Sequence, residues 1–148
     1  MGRHRLQHCD FDPEDLHTRV RLQVAGHLDA ISPAVERVMA EVRVMECAEG
    51  KEFEIETALR EALANAIRHG CRNDASKSVE VCVACDESKG MLIVVRDPGP
   101  GFDPGAIPSP TLGHNIYRHH GRGIYLINQL MDEVSFDRNG TEIRMIKR

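Results

Sequence analysis

Three polar side chains recur at a four-residue spacing within an otherwise apolar segment: Glu61, Asn65 and His69. On a helix, residues four apart stack on one face, so these three would form one polar row. A carboxylate in such a row can accept the proton of an attacking hydroxyl group. A neighbouring amide oxygen suits Mg²⁺ without adding negative charge. The row is therefore a candidate for proton-transfer and metal-binding chemistry, and the alternative is a solvated helix face.

Two glycine-rich segments follow the polar row. Asp97 ends an apolar run, and Gly99 and Gly101 come directly after it, where the lack of side chains would let a ligand approach the backbone. Gly121 and Gly123 open another amphipathic segment, and bare N–H groups at a helix start favour anions. No Gly-Lys-Ser/Thr follows these glycines, so the segment is not a P-loop.

The elements that position these residues follow from hydrophobic periodicity. Apolar residues at three-to-four spacing predict a helix from about residue 52 to residue 69, with Gly70 as a left-handed C-terminal cap. Ser32-Pro33 predicts the start of an earlier helix, with Asp29 as an alternative cap slightly before it, and the buried stripe of this helix reaches about residue 46. Alternating segments predict strands near 18–24, 79–85, 91–96, 134–136 and 141–145. The expected fold is an α/β (α+β) two-layer sandwich with about five mostly antiparallel strands under three helices.

Length and composition favour one domain. We expect a flexible leader at residues 1–17, a single domain at 18–148, and a lid at 103–120, where periodicity is lost. The net charge of −4 argues against nucleic acid as the main partner. No apolar run is long enough for a membrane span, and no signal-peptide pattern is present, so the cytoplasm is the expected location.

The five cysteines lack a disulfide-framework spacing, so reduced thiols are expected. Cys82 and Cys85 have the spacing of a zinc pair, but residues three apart in a strand face opposite sides of the sheet. Two small buried thiols are therefore the favoured interpretation. A second, weaker candidate metal group comprises Cys71, His114, His119 and His120.

In this order, the segments resemble the boxes of the GHKL (Bergerat-fold) ATPases, and most closely the small bacterial anti-sigma-factor serine kinases. Residues 61–70 resemble the N-box, 97–101 the DxGxG box, and 121–134 the second glycine box. Thr141 stands where the family places a threonine before its last strand. The resemblance spans roughly residues 15–148, and several boxes in order are a specific signal.

The resemblance implies ATP and Mg²⁺ as cofactors, Glu61 as the catalytic base and Asn65 as the metal ligand. Asp97 would accept a hydrogen bond from the adenine amino group, although an Asp before Pro also suits a turn. Thr141 would support the same edge of the base, or it is an ordinary strand residue. Arg122 would reach a phosphate or point outward. The implied nucleotide-binding residues are Asn65, His69, Asp97, Gly99, Gly101, Phe102, Arg118, Gly121, Arg122, Gly123, Ile124 and Thr141.

The implied partners are an alternative sigma factor and an anti-anti-sigma (STAS-type) antagonist that is phosphorylated on serine. The resemblance also implies a homodimer, with the first helix in the partner surface. His69 is not expected to be a phosphoacceptor, because the phosphoacceptor of full histidine kinases lies on a separate dimerisation helix. The alternatives are a nucleotide-gated binding module and a stand-alone signalling ATPase without kinase activity.

Overall fold

The fold is described from a computed structural model, which covers residues 18–86, 88–101 and 121–148. It contains a five-stranded sheet in the order β1-β2-β3-β5-β4, and every neighbouring pair is antiparallel. The strands are β1 (Thr18–Ala25), β2 (Ser78–Asp86), β3 (Gly90–Arg96), β4 (Glu133–Asp137) and β5 (Glu142–Lys147).

Three helices pack on one face of the sheet: α1 (Ile31–Val42), α2 (Glu52–Asn65) and α3 (Gly121–Leu130). Helix α2 contacts both α1 and α3. The buried layer is aliphatic, because the stripe of each amphipathic helix meets the inward residues of the strands. Its fully buried members include Val38, Leu59, Leu63, Val83, Ile93 and Met145. The predicted sandwich of five antiparallel strands under three helices is confirmed.

The opposite face of the sheet carries a smaller apolar cluster, formed by Cys82, Ala84, Leu92 and Val94. Beside this cluster, Arg96 and Glu142 lie opposite each other on β3 and β5. The Arg96 guanidinium donates to Glu142 Oε1 at 2.6 Å, and Glu142 is fully buried. The ion pair therefore ties together two strand ends at the point where the chain continues to Asp97 and comes from Thr141.

The start of α1 differs from the expectation. The helix begins at Ile31 after Ala30, which makes no side-chain capping bond, so Ser32 is not the cap. Ser32 Oγ instead accepts a hydrogen bond of 3.2 Å from Arg60 on α2. Met45 is buried as expected, although it lies beyond the end of the helix at Val42.

The expectation that the cysteines are all reduced is wrong. Cys47 and Cys85 form a disulfide with a Cα–Cα distance of 6.2 Å, within the range that disulfides require. A 3-10 turn at Glu46–Ala48 contacts β2 and brings the two residues together across 38 positions of sequence. Cys82 and Cys85 pack in separate clusters on opposite faces of the sheet, as predicted. Cys71 is free and buried.

Several expectations fall on residues outside the described ranges. These are the leader at 1–17, the lid at 103–120, and the residues Phe102, His114, Arg118, His119 and His120. The side chain of Arg122 also lies outside the described part of the chain, so its phosphate contact stays a prediction. Within the described ranges, none of the helices has the length and apolar character that a membrane crossing requires.

Candidate functional site

The polar row lies where the geometry of α2 changes. The α-helix ends at Asn65, and residues Ala66–Cys71 continue it as a π-helical turn, called the π turn below. Such turns are uncommon and occur frequently at functional sites. The chain leaves the π turn at Arg72, which has left-handed angles of φ 53° and ψ 40° and donates its N–H to Ile67 O. The prediction that Gly70 is the left-handed cap is therefore wrong.

Gly70 is buried inside the π turn and lies directly against Asp97. A Cβ at Gly70 would overlap the Cβ and Cγ atoms of Asp97, well inside 3.0 Å. A Cβ at Gly99 would lie 2.7 Å from Gly70 O. The glycine is thus required by the close approach of two segments that are far apart in sequence. Sequence reasoning missed this role, although a glycine directly after the polar row was a signal.

Two backbone groups, one from Thr141 and one from Gly99, hold Asp97 in place directly after strand β3. Its N–H donates to Thr141 O at 2.9 Å, and its Oδ1 accepts from the N–H of Gly99 at 2.8 Å. Burial raises the pKa of the Asp97 carboxyl above its usual range, and the hydrogen bond from Gly99 opposes this shift. The expected turn is therefore present. The second carboxylate oxygen has no hydrogen bond to another described residue, so it remains available to a ligand.

Gly101 and Thr141 close the same end of the site. Gly101 has a φ of +85°, and a side chain there would overlap the carbonyl oxygen of Asn139 and approach Thr141 Cγ2 to 3.2 Å. Thr141 Oγ1 donates to Arg138 O at 2.8 Å. The hydroxyl oxygen can still accept a hydrogen bond, directly or from water.

These segments surround a cavity of about 240 Å³ between the π turn and the loop after β3. Its lining residues are Asn65, Arg68, His69, Gly70, Arg72, Asp97, Pro100 and Gly101. Four of the predicted site residues therefore meet at one cavity: Asn65, His69, Asp97 and Gly101. Two arginines, Arg68 and Arg72, were not among the predicted site residues.

Glu61 lies beside this cavity and not in its lining. It is half-buried, one helical turn before Asn65, and its Oε2 lies 3.5 Å from the position that a Cβ would take on Gly123. The first turn of α3 therefore packs next to the polar row. Gly121 opens α3 as predicted, and Ile124 is buried, so its side chain belongs to the core.

The residues present fit Mg²⁺ and ATP. The Asn65 side chain lines the cavity and has no hydrogen bond to another described residue, so its oxygen is free to coordinate. Mg²⁺ in nucleotide sites takes few protein ligands and completes its shell with phosphates and water. Over residues 18–86, 88–101 and 121–148, there is no group of three His, Cys, Asp or Glu side chains that could hold a metal ion alone.

The sandwich of five antiparallel strands and three helices is consistent with the GHKL ATPase fold. Residues 24–147 match the family model of the histidine kinase-like ATPase domain, and the chain belongs to this family. The resemblance seen in the sequence is thereby confirmed.

Two curated relatives are similar to this chain. Serine-protein kinase RsbW of Staphylococcus epidermidis is 33% identical over 98 residues, which cover 61% of each chain. Anti-sigma F factor of Bacillus licheniformis is 30% identical over 100 residues, which cover 64% of this chain and 67% of the relative. The match thus spans somewhat less than two thirds of the RsbW relative.

Proposed function

We propose that this chain binds Mg-ATP in the cavity between the π turn and the loop after β3. The observation that carries the proposal is the convergence of Asn65, His69, Asp97 and Gly101 on one cavity. These residues come from two separate sequence signals, the polar row and the first glycine-rich segment, and they meet within a histidine kinase-like ATPase domain. Binding of a single nucleotide would account for the presence of all four residues.

In this proposal the adenine lies at the Asp97 end of the cavity. The free oxygen of Asp97 accepts from the adenine amino group, and Thr141 supports the same edge. Gly70, Gly99 and Gly101 allow the segments at this end of the cavity to pack closely against one another, which keeps Asp97 in place. Asn65 lies nearer the phosphates and holds Mg²⁺, which neutralises charge on the phosphoryl oxygens.

We further propose that the chain is a protein serine/threonine kinase of the anti-sigma-factor type. Glu61 would accept the proton of a serine hydroxyl, whose oxygen bonds to the γ-phosphorus while the bond to the bridging oxygen of ADP breaks. The substrate serine lies on an anti-anti-sigma (STAS-type) protein. Between phosphorylation events the chain, as a cytoplasmic homodimer, would sequester an alternative sigma factor and so regulate transcription. The similarity to a serine-protein kinase and to an anti-sigma F factor supports this proposal.

Two other functions use the same cavity. A nucleotide-gated binding module would exchange partners on ATP binding without phosphoryl transfer. A stand-alone signalling ATPase would hydrolyse ATP and bind neither partner. The presence of a carboxylate at Glu61, one turn before Asn65, favours phosphoryl transfer over a module that only binds.

Calorimetric titration with ATP, with and without Mg²⁺, tests the nucleotide site. Asp97→Asn should weaken ATP binding both with and without Mg²⁺. Asn65→Ala should remove the dependence of ATP binding on Mg²⁺. Asp29→Asn and Asn128→Ala are matched controls, because both residues are exposed and lie outside the cavity. The proposal fails if the folded wild-type chain binds no adenine nucleotide.

Transfer of labelled γ-phosphate to a STAS-type protein tests the kinase activity. Glu61→Gln should lower the transfer rate at least about 100-fold, the usual contribution of a general base, while ATP affinity is retained. Glu49→Gln, at an exposed position, is the control. Partner exchange that survives Glu61→Gln without any transfer would indicate the binding module. ATP hydrolysis without either partner would indicate the stand-alone ATPase.

A further inference from the structure

We infer that residues 1–17 dock on the face of the sheet opposite the helices, called the outer face below, and that a disulfide between Cys9 and Cys82 fixes them there. Two independent features of the outer face carry the inference: the burial of its apolar cluster and the bonding of Cys82. Neither feature depends on the proposed ATP site. The inference replaces the expected flexible leader with a segment that is bound to the domain in the oxidised chain.

The apolar cluster on the outer face is buried, although the described part of the chain supplies no second layer for it. The exposed fraction is 0% for Ala84, 2% for Cys82 and Leu92, and 3% for Val94. These residues, and the partly buried Ile146 that packs on them, all belong to strands. The apolar face of a sheet is shielded from water when another element packs on it. The burial therefore indicates a covering segment outside the described residues.

The bonding of Cys82 identifies this segment. Cys82 is bonded in a disulfide. Of the five cysteines in the chain, Cys47 is paired with Cys85, and Cys71 is free. Within one chain the remaining partner is Cys9, which lies in the first 17 residues. The disulfide and the burial of the neighbouring side chains thus lead to the same segment.

The chain is long enough for this arrangement. Residues 1–17 lead directly into β1, and Thr18, its first residue, is paired with Cys85. Cys82 lies three positions from Cys85 on the neighbouring strand, which places its Cα roughly 11 Å from that of Thr18. Cys9 precedes Thr18 by nine positions, and a stretch of this length spans up to roughly 30 Å. The segment can therefore turn back before β1 and reach the outer face.

The composition of the segment suits the surface that it would cover. Its large apolar side chains are Leu6, Phe11 and Leu16, which recur every five residues. Contact of these side chains with Leu92 and Val94 would remove apolar surface from water, which favours docking. The disulfide would add to these contacts by keeping the segment close to the sheet.

The disulfide can form by exchange with a low-molecular-weight disulfide such as oxidised glutathione. The Cys9 thiolate attacks one sulfur of this reagent and releases one thiol. The Cys82 thiolate then attacks the Cys9 sulfur of the mixed disulfide and releases the second thiol. The two cysteines lose two electrons and two protons, which the reagent gains. Reduction reverses the exchange and leaves the segment held by its apolar contacts alone.

Peptide mapping without reduction tests the pairing. The full chain with Cys47→Ser and Cys85→Ser is incubated with oxidised glutathione, unfolded and digested with trypsin. Cys82 is then the only cysteine in the peptide 78–89, and the N-terminal cysteine lies in the peptide 6–19. We expect a species with the summed mass of these two peptides, which reduction separates. A free thiol at Cys82, or a covalent dimer of the chain, overturns the assignment.

The wild-type chain provides a second measurement that does not depend on the folding of a variant. Its unreduced digest should join the peptides 6–19, 44–51 and 78–89, because the last contains two cysteines and the second contains Cys47. The peptide 69–72, which contains the free Cys71, should be recovered alone. Recovery of 6–19 as a separate peptide would overturn the pairing.

Alkylation of Cys82 by iodoacetamide in the folded chain tests the docking itself. Cys9→Ser leaves two thiols, Cys71 and Cys82, and the buried Cys71 is an internal reference for unfolding. Adding Phe11→Ser and Leu16→Ser removes apolar contacts of the segment. We expect the labelling rate of Cys82, relative to that of Cys71, to rise at least about tenfold.

The matched control adds Leu28→Ser and Phe53→Ser in the same Cys9→Ser background, because these two apolar residues are exposed in the described part of the chain. The control should leave the relative labelling rate unchanged. Circular dichroism verifies that each variant is folded. If the Phe11→Ser and Leu16→Ser variant is folded and labels Cys82 at the control rate, another segment covers the outer face and the inference is wrong.

Discussion

Replacing Gly70 by Ala isolates the contact between the π turn and the loop after β3. Gly70 does not have a positive φ, so its backbone accepts any L-residue. In a helix, Ala is normally more stable than Gly by about 0.5–1 kcal/mol. In this chain the new methyl group would overlap the Cβ and Cγ of Asp97. The structure therefore predicts destabilisation at a position where helix propensity predicts a gain.

The magnitude follows from the overlap. The new Cβ would lie well inside 3.0 Å of the Asp97 side chain, and a normal carbon contact is about 3.5–4.0 Å, so Asp97 has to shift by about 1 Å or more. Overpacking of this kind typically costs about 1–3 kcal/mol of unfolding free energy. If the displaced carboxylate no longer meets adenine, loss of a charge-assisted bond of about 1.5–3 kcal/mol weakens ATP binding about 10- to 150-fold.

Urea unfolding of the four variants of a double-mutant cycle measures the coupling free energy between the substitutions at Gly70 and Asp97. In an Asp97→Gly background the side chain that causes the overlap is absent, and Gly70→Ala should become neutral or stabilising. We expect the two substitutions to couple by at least about 1 kcal/mol, well outside the additivity that separated sites show. Additive effects, or a Gly70→Ala variant that binds ATP like the wild type, would refute the proposed contact.

Gly50→Ala is the matched control for a glycine substitution. Gly50 has a φ of +78°, but no atom lies within 4 Å of the position that its Cβ would take. Its replacement therefore tests backbone strain without steric overlap. We expect a modest loss of stability and unchanged ATP affinity, whereas Gly70→Ala should change both.

Three further predictions concern stability. Since burial raises the pKa of Asp97 above 3.8, the folded chain binds more protons than the unfolded chain between 3.8 and the raised value. The free energy of unfolding should consequently fall as pH rises through that window, and Asp97→Asn should remove this slope in urea titrations across pH. Cys47→Ser removes the disulfide that closes a loop of 38 residues, and it should lower the free energy of unfolding by about 4 kcal/mol. Melting curves measure this loss, with Cys71→Ser as the control because Cys71 is a free cysteine. Glu142→Gln leaves Arg96 and Arg144 beside a neutral group, so it should lower the free energy of unfolding in urea by about 3–5 kcal/mol. Glu80→Gln, at a more exposed ion pair, should lower it by at most about 1 kcal/mol.

Most of the fold could be predicted because it follows local periodicity. The alternation in β4 and the three-to-four spacing in α2 each result from burial on one side, which a sequence records directly. The positions of Asp97 and of Gly101 could be predicted for the same reason, since they end an apolar strand. The helix bounds were less accurate where packing, and not propensity, fixes the end, as at Val42.

The contacts between distant segments could not be predicted. Nothing near Gly70 in the sequence shows that Asp97 packs on its Cα, so a glycine at a helix end was interpreted as a cap. The Cys47–Cys85 disulfide likewise depends on a short turn packing over a strand end. The π turn is a third case, because residues Ala66–Cys71 have no composition that distinguishes π from α geometry.

Four of the positions that break local rules nevertheless cluster in space. Asn65 has poor helix propensity, Gly70 weakens the turn that follows, and Arg72 is an arginine in a conformation that suits glycine. Asp97 is a carboxyl group whose charged form is penalised by burial. Each exception alone has an ordinary structural explanation. Together these four residues line one cavity of about 240 Å³. Residues that reduce stability in this way are expected at functional sites, where other interactions offset the cost. The clustering supports a nucleotide site by an argument independent of family resemblance.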